Sequence, residues 1–387
     1  MASLKSLGLP ESFCFAPYTN LDLDQDGTFY PCYRSKEAQG QWKDYDVTET
    51  INSEGMQNLR MDLWNGRQNA NCIQCHKREA KGIESTREQY NKHFLELAED
   101  LDFVKHIKNK PQFSGPENIH TLEIRPHNLC NLACGHCDEH SSSRWLKMKA
   151  EVNKDDFAYH TNDDPSTLRK LYSKASNLKT VHFTGGEPLI YASSHKEWLN
   201  GIHNKSGVEL RYHTNLQHDR ISTYRTQWDQ FKHVKFFISI DVSERYYPYF
   251  RFGGKWNRMD YNIKTLKDYE RVGVITVNFF TMLDFVPLVK YIVDNNMQLH
   301  VAFVDPPHPL SITNMSREQK QHALESIQQA RPECKFDEEW KTLRALGALR
   351  KIEEFIKTGH DGDDMHESLQ THLEYLDNKY KMRWNEL

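Results

Sequence analysis

Six short β-prone segments recur between residues 119 and 310, with helical stretches between them. They are HTLEIRP, TVHFTG, VELRYHTN, VKFFISID, GVITVNFFTM and LHVAFVDP. Helical spacing is clearest around residues 263–269 and 285–294. Strands that alternate with helices predict a parallel sheet with crossover helices, an α/β fold. Roughly 190 residues is short for an eight-unit barrel, which takes about 250. A partial (β/α)6 barrel of the TIM type is therefore expected over 116–310.

Two further regions flank it. Within residues 1–115, Leu21 and Leu23 precede Asp26-Gly27, and Phe29 and Tyr30 follow, which predicts a hairpin. Met56, Leu59 and Leu63 share one helical face, and Asn65-Gly66 stops that helix. Segment 108–118, rich in Pro, Gly and Lys, reads as a linker. Residues 311–387 carry no strand signal. Leu343, Leu346, Leu349, Ile352, Phe355 and Ile356 follow helical spacing, as do Leu369, Leu373, Leu376 and Tyr380. A helical C-terminal extension is expected there. With 38% hydrophobic and 27% charged residues, the chain is neither disordered nor fibrous. The net charge, 50 − 54 = −4, gives no bulk attraction to nucleic acid or to an anionic membrane. No apolar run approaches a membrane span, and the first residues lack a signal-peptide core, so a cytoplasmic location is expected.

The eight cysteines divide into sets of four, three and one. In a chain that needs no disulfides, tight Cys spacings read as metal or cluster ligation. Cys130, Cys134 and Cys137 sit in LCNLACGHCDEH, directly after the first barrel strand. Thiolates at this spacing can hold three corners of an iron–sulfur cubane and leave the fourth iron open. Spacing alone also allows a zinc site that borrows His127, His136 or His140.

The loop resembles the Cys-x3-Cys-x2-Cys signature of the radical S-adenosylmethionine (SAM) superfamily. The second strand ends in Gly185-Gly186-Glu187-Pro188, which resembles that family's SAM-binding turn. Glycines let backbone approach a ligand closely, and Glu187 offers a carboxylate to an ammonium. His213-Thr214-Asn215 resembles the family's Thr-Asn-Gly, with Leu216 in place of glycine. Ile238-Ser239-Ile240-Asp241 resembles Ser-Ile-Asp-Gly, with Val242 in place of glycine. The resemblance implies SAM contacts from Asn215, Ser239 and Asp241, and from Arg251 to the SAM carboxylate, with an ordinary surface arginine as the alternative for Arg251. The run 141–145, SSSRW, is either a cavity wall or an ordinary helix N-terminus.

Cys14, Gly27 and Cys32, followed by Cys72-x2-Cys75, resemble the twitch and SPASM cluster domains, placed here ahead of the barrel. The four thiols would complete an auxiliary [4Fe–4S] cluster, with four-thiolate zinc as the alternative and His76 as a substitute ligand. Asp22-x-Asp24-x-Asp26-Gly27 is not a calcium loop, because Tyr33 stands where a bidentate Glu is required.

The resemblance implies an enzyme in which an electron donor such as flavodoxin or ferredoxin reduces the SAM-binding [4Fe–4S] cluster. SAM is then cleaved to a 5′-deoxyadenosyl radical that abstracts hydrogen from substrate. An auxiliary cluster held by four thiolates is an electron conduit, so net oxidation is expected. Only thirteen residues precede Cys14, so the leader-binding module of peptide-modifying relatives is not expected in front. This favours a small molecule over a ribosomally made peptide. The non-catalytic alternative is a zinc- or iron–sulfur-binding interaction protein. Glu123, Arg125, His213, Asn278, His300 and Asp305, at strand ends, are candidate substrate contacts, with Tyr246, Tyr247 and Tyr249 either flanking the mouth or packing. Cys334 is expected to be a buried inert thiol.

Overall fold

The computed structural model describes residues 3–35, 37–41, 46–80, 84–97, 101–150, 165–190, 192–357 and 363–387. Its strands are β1 (Asn20–Leu23), β2 (Phe29–Tyr30), β3 (Thr121–Ile124), β4 (Ala133–Cys134), β5 (Thr180–Phe183), β6 (Glu209–Thr214), β7 (His233–Ser239), β8 (Arg251–Phe252), β9 (Glu270–Val277) and β10 (Gln298–Phe303). Eight of them form one sheet in the order β10-β9-β7-β6-β5-β3-β1-β2. Every pairing in it is parallel except β1 with β2. The expected six strands are consecutive in this sheet, with helices between them, as a partial barrel requires.

The hairpin does more than fold on itself. Its first strand lies parallel to β3, with Asp22 opposite Glu123 and Leu23 opposite Ile124. The N-terminal thiol-bearing segment therefore extends the barrel wall. Alternation sends Leu21 and Leu23 into the core with Leu122 and Ile124, while Asp22 and Glu123 take the other face. Arg60 fastens this region from outside the sheet. Fully buried, it donates to Pro17 O at 2.6 and 2.9 Å and to Gln112 O at 3.0 Å, and it stacks over Tyr18.

Three local expectations are corrected. The segment GVITVNFFTM is not strand throughout. Asn278 accepts from the N–H groups of Phe280 and Thr281, forming a capping box that starts the helix Phe279–Leu283. The helix expected near 263–269 spans Trp256–Thr265, and β9 already begins at Glu270. In the C-terminal extension, Leu343 is 62% exposed; Ala345, Ala348, Leu349, Ile352 and Ile356 form the packing face of helix Glu339–Lys357. Among the described residues, no helix is long and apolar enough to cross a membrane.

At the end of the barrel away from the cluster loop, Glu270 joins three strands. It accepts from Lys235 and His233 at 2.5 Å and from Gln298. Burial opposes ionisation, yet these donors pull its carboxyl down to about 2. A carboxyl depressed on folding stabilises the fold above its unfolded value and loses that contribution as pH falls through the folded one. Glu270→Gln should therefore cost about 2–3 kcal/mol at pH 7. It should also flatten the loss of stability between about pH 4.5 and 2, read as urea midpoints against pH.

Candidate active site

The loop after β3 is held by its backbone. Cys134 on β4 pairs with Arg251 on β8. Trp145 Nε1 donates to Cys134 O at 2.8 Å, and the Cys137 N–H closes a turn onto the same carbonyl at 3.0 Å. The serine run is a helix N-terminus that braces this loop. Ser142 Oγ donates to Leu132 O at 2.6 Å, and Ser143 Oγ accepts from the Cys130 N–H at 3.1 Å. From the far end of the chain, Tyr380 donates to Ala133 O at 2.8 Å.

Burial pushes all three thiols up, Cys130 to about 12, so a bound cation must displace their protons. Polar groups wait for the resulting negative charge. Arg251 Nη1 donates to Cys134 Sγ at 3.5 Å, and Asn215 Nδ2 to Cys130 Sγ at 3.8 Å. Arg251 is no surface residue. It is buried, and its Nη2 pairs with buried Asp241 at 2.5 Å. Asp241 also accepts from the Thr276 N–H at 2.8 Å. Ser239 stands half-buried at the end of the neighbouring strand β7.

The glycine turn presses against this loop. Gly186 N–H donates to His127 O at 3.1 Å and Glu187 N–H to Leu129 O at 2.8 Å. A Cβ on Gly186 would lie 2.3 Å from Leu129 O; one on Gly185, at φ +108°, would lie 2.8 Å from His127 O. The backbone these glycines admit is that of the cluster loop itself. Glu187 and Pro188 are buried behind the turn. Glu187 accepts from Thr214 Oγ1 at 2.7 Å, Asn215 N–H at 2.7 Å and Leu189 N–H at 3.2 Å, and burial raises its carboxyl to about 6. It thus locks the end of β6, where Asn215 is positioned. Among the described residues, Arg251 Nε, Asn128 Oδ1 and His136 Nδ1 are buried without hydrogen-bond partners. Unmet polar atoms around three thiols suit a site completed by a polar ligand on a cluster.

Cys14, Cys32, Cys72 and Cys75 line a single cavity. The hairpin brings Cys32 to Cys14, and the turn Ala70–Cys72 with helix Ile73–Glu79 supplies the other pair. Burial pushes the thiols of Cys32 and Cys72 to about 12 and that of Cys14 well up, and neighbouring thiols add to each. Arg87, held by Glu79 at 2.8 Å, lines the same cavity and opposes this at Cys72. In neither set do three described Cys, His, Asp or Glu side chains converge as a single ion requires. Thiols spread around a space suit a multi-iron cluster better than tetrahedral zinc.

A polar pocket of about 230 Å³ lies between the hairpin and the glycine turn. Asp24 and Gln25 come from the hairpin, Glu123 and Arg125 from the end of β3, His140 and Ser141 from beyond the cluster loop, and Thr184 and Gly185 from the turn. Of the candidate contacts, only Glu123 and Arg125 line it. His213 lies deeper, 2.8 Å from His182. Asn278 is spent on its helix cap, His300 is half-buried on β10, and Asp305 is exposed. Tyr246, Tyr247 and Tyr249 are buried in aromatic packing, and Cys334 is buried with its Sγ 3.5 Å from Ala330 O. Asp24 and Gln25 were missed as pocket residues, and His140 was considered only as a borrowed zinc ligand. The alternation that sets Asp22 and Asp24 opposite Leu21 and Leu23 hinted at Asp24 alone.

The sequence model of the radical SAM superfamily matches residues 124–289, and that of the SPASM iron–sulfur cluster-binding domain matches 14–76. A search of curated proteins returns no match. Among solved structures, the chain is similar to a histidine-tagged form of anSMEcpe with bound AdoMet: 16% identity, 54% of this chain and 58% of that one, TM-score 0.40. It is similar too to Streptococcus suis SuiB bound to precursor peptide SuiA: 15% identity, 80% and 68% coverage, TM-score 0.39. The alignment thus spans 58% of the anSMEcpe chain.

Because the turn and loop share one packed backbone contact, Gly186→Ala should dislodge Cys130 and its neighbours. Anaerobic reconstitution should then load about four irons per chain instead of about eight, with the auxiliary signal retained in electron paramagnetic resonance. Full loading in the variant would show that the contact is dispensable.

Proposed function

Because the chain belongs to the radical SAM superfamily and carries a SPASM-type domain ahead of its barrel, we propose that this enzyme oxidises a small molecule held in the pocket between hairpin and glycine turn. The pocket carries the reading. It is polar and walled by both the thiol-bearing hairpin and the SAM-binding turn. In this reading residues 1–115 hold the auxiliary [4Fe–4S] cluster, 116–310 the SAM-binding cluster, and 311–387 pack on the barrel.

Cys130, Cys134 and Cys137 would hold the first cluster, and Cys14, Cys32, Cys72 and Cys75 the second. Bound there, the first supplies with SAM the reductive cleavage that begins hydrogen abstraction, and the second supplies a one-electron exit. Arg251 neutralises charge at Cys134, while Asp241 fixes the guanidinium. Glu187 holds Asn215 against Cys130. Gly185 and Gly186 seat the turn on the cluster loop. Arg125 and Glu123 orient substrate beneath that turn.

Reconstituted protein should bind about eight irons and release 5′-deoxyadenosine from SAM with dithionite. Replacing Cys130, Cys134 and Cys137 by Ala should abolish that release. Cys32→Ala with Cys75→Ala should slow product formation far more than SAM cleavage, by at least about tenfold, roughly 1.4 kcal/mol in barrier height. A redox-neutral product would overturn the oxidation; tightly bound zinc without SAM cleavage would favour an interaction protein.

A further inference from the structure

The pocket between hairpin and glycine turn holds more negative charge than its own cations balance. Arg125 is surrounded by three carboxylates: Asp22 at 3.1 Å, Glu123 at 3.4 Å and Asp24 at 3.6 Å. The formal sum is −3 + 1 = −2. Other cations are committed or remote. Arg211 is taken by Glu209 at 2.5 Å, and His140, 58% exposed, approaches Asp24 only at 3.8 Å. His182, 3.7 Å from Glu123, is kept neutral by burial and by neighbouring His213. Burial and mutual repulsion push the carboxyls of Asp22 and Glu123 up, so this charge is poorly accommodated as it stands.

Two polar atoms lack partners among the described residues. One is Asp22 Oδ1, in the carboxylate cluster on a residue 1% exposed; the other is Thr184 Oγ1, on a residue that lines the pocket. The carboxylate oxygen only accepts, whereas the hydroxyl can accept or donate. A ligand that donates hydrogen bonds and carries positive charge would answer the charge excess and meet the Thr184 oxygen. An anion could take Thr184 and Arg125, but only by approaching the carboxylates that surround that guanidinium.

We propose that this pocket binds an amino or guanidino group of the substrate, making the substrate an organic cation recognised by Asp24 and Glu123 beside Arg125, with buried Asp22 adding negative charge to the cluster. This rests on the enzyme reading above and names its substrate class. The ammonium of SAM has the same chemistry, so the test separates the two sources.

Agmatine, putrescine and glutarate are titrated calorimetrically into the reconstituted protein, with and without saturating SAM. Agmatine or putrescine should bind, glutarate should not, and SAM should leave cation binding intact. Asp24→Asn should weaken cation binding about tenfold, and Thr184→Val about threefold to tenfold. Preference for glutarate would assign recognition to Arg125 and overturn the proposal. Loss of cation binding with SAM would assign the pocket to the SAM amino group, and absence of any charge preference would also overturn it. SAM cleavage by the same wild-type sample is measured alongside. If cleavage fails, the enzyme reading falls; if cleavage proceeds without cation preference, only this inference does.

Discussion

The parallel pairing of β1 with β3 decides where everything else in this protein stands. It joins a segment that begins among the auxiliary thiols to the strand that leads into the cluster loop. Its register sets Asp22 against Glu123 and so gathers carboxylates around Arg125. Without it, Asp24 and Gln25 of the hairpin would not line the polar pocket beside Glu123 and Arg125. The pairing also means that the N-terminal region is not a bead on a string, because part of its hydrophobic face is the barrel's own core.

A second constraint acts at closer range. The cluster loop and the glycine turn meet backbone to backbone, with no room for a Cβ at Gly186. Behind that contact stand two buried polar struts. Glu187 binds the end of β6, and Asp241 binds Arg251, which in turn reaches Cys134. Each strut is well hydrogen-bonded, as buried charge must be to be tolerated. The thiols are thus presented on a loop fixed by backbone packing and buried hydrogen bonds, the kind of support a reactive site demands.

Much of this was legible in the chain. The barrel strands read through alternation: Leu122, Ile124, Leu210 and Tyr212 are buried, while Glu123, Arg211 and His213 are half-buried on the other face. The hairpin announced itself through Asp26-Gly27, and Gly27 does take a positive φ of 85°. The partnership of β1 with β3 was hidden, since pairing between segments far apart in sequence leaves no local trace. For the same reason Arg251 could not be distinguished from a surface arginine until Asp241 stood beside it. The two missing glycines have separate explanations. Leu216 itself adopts the left-handed conformation, at φ 53°, and bears the strain that a glycine would avoid. At the second place it is Asp241, at φ 61°, that turns left-handed, a role aspartate tolerates, so Val242 needs no special freedom.

Tyr380 supports the cluster loop from 247 positions further along the chain. The cysteines of the auxiliary cavity, Cys14 to Cys75, are by contrast all translated before the barrel begins, as are its other lining residues up to Tyr90. The four-thiol cavity thus draws its whole lining from the first quarter of the sequence, whereas the three-thiol loop depends on a brace from near the other end.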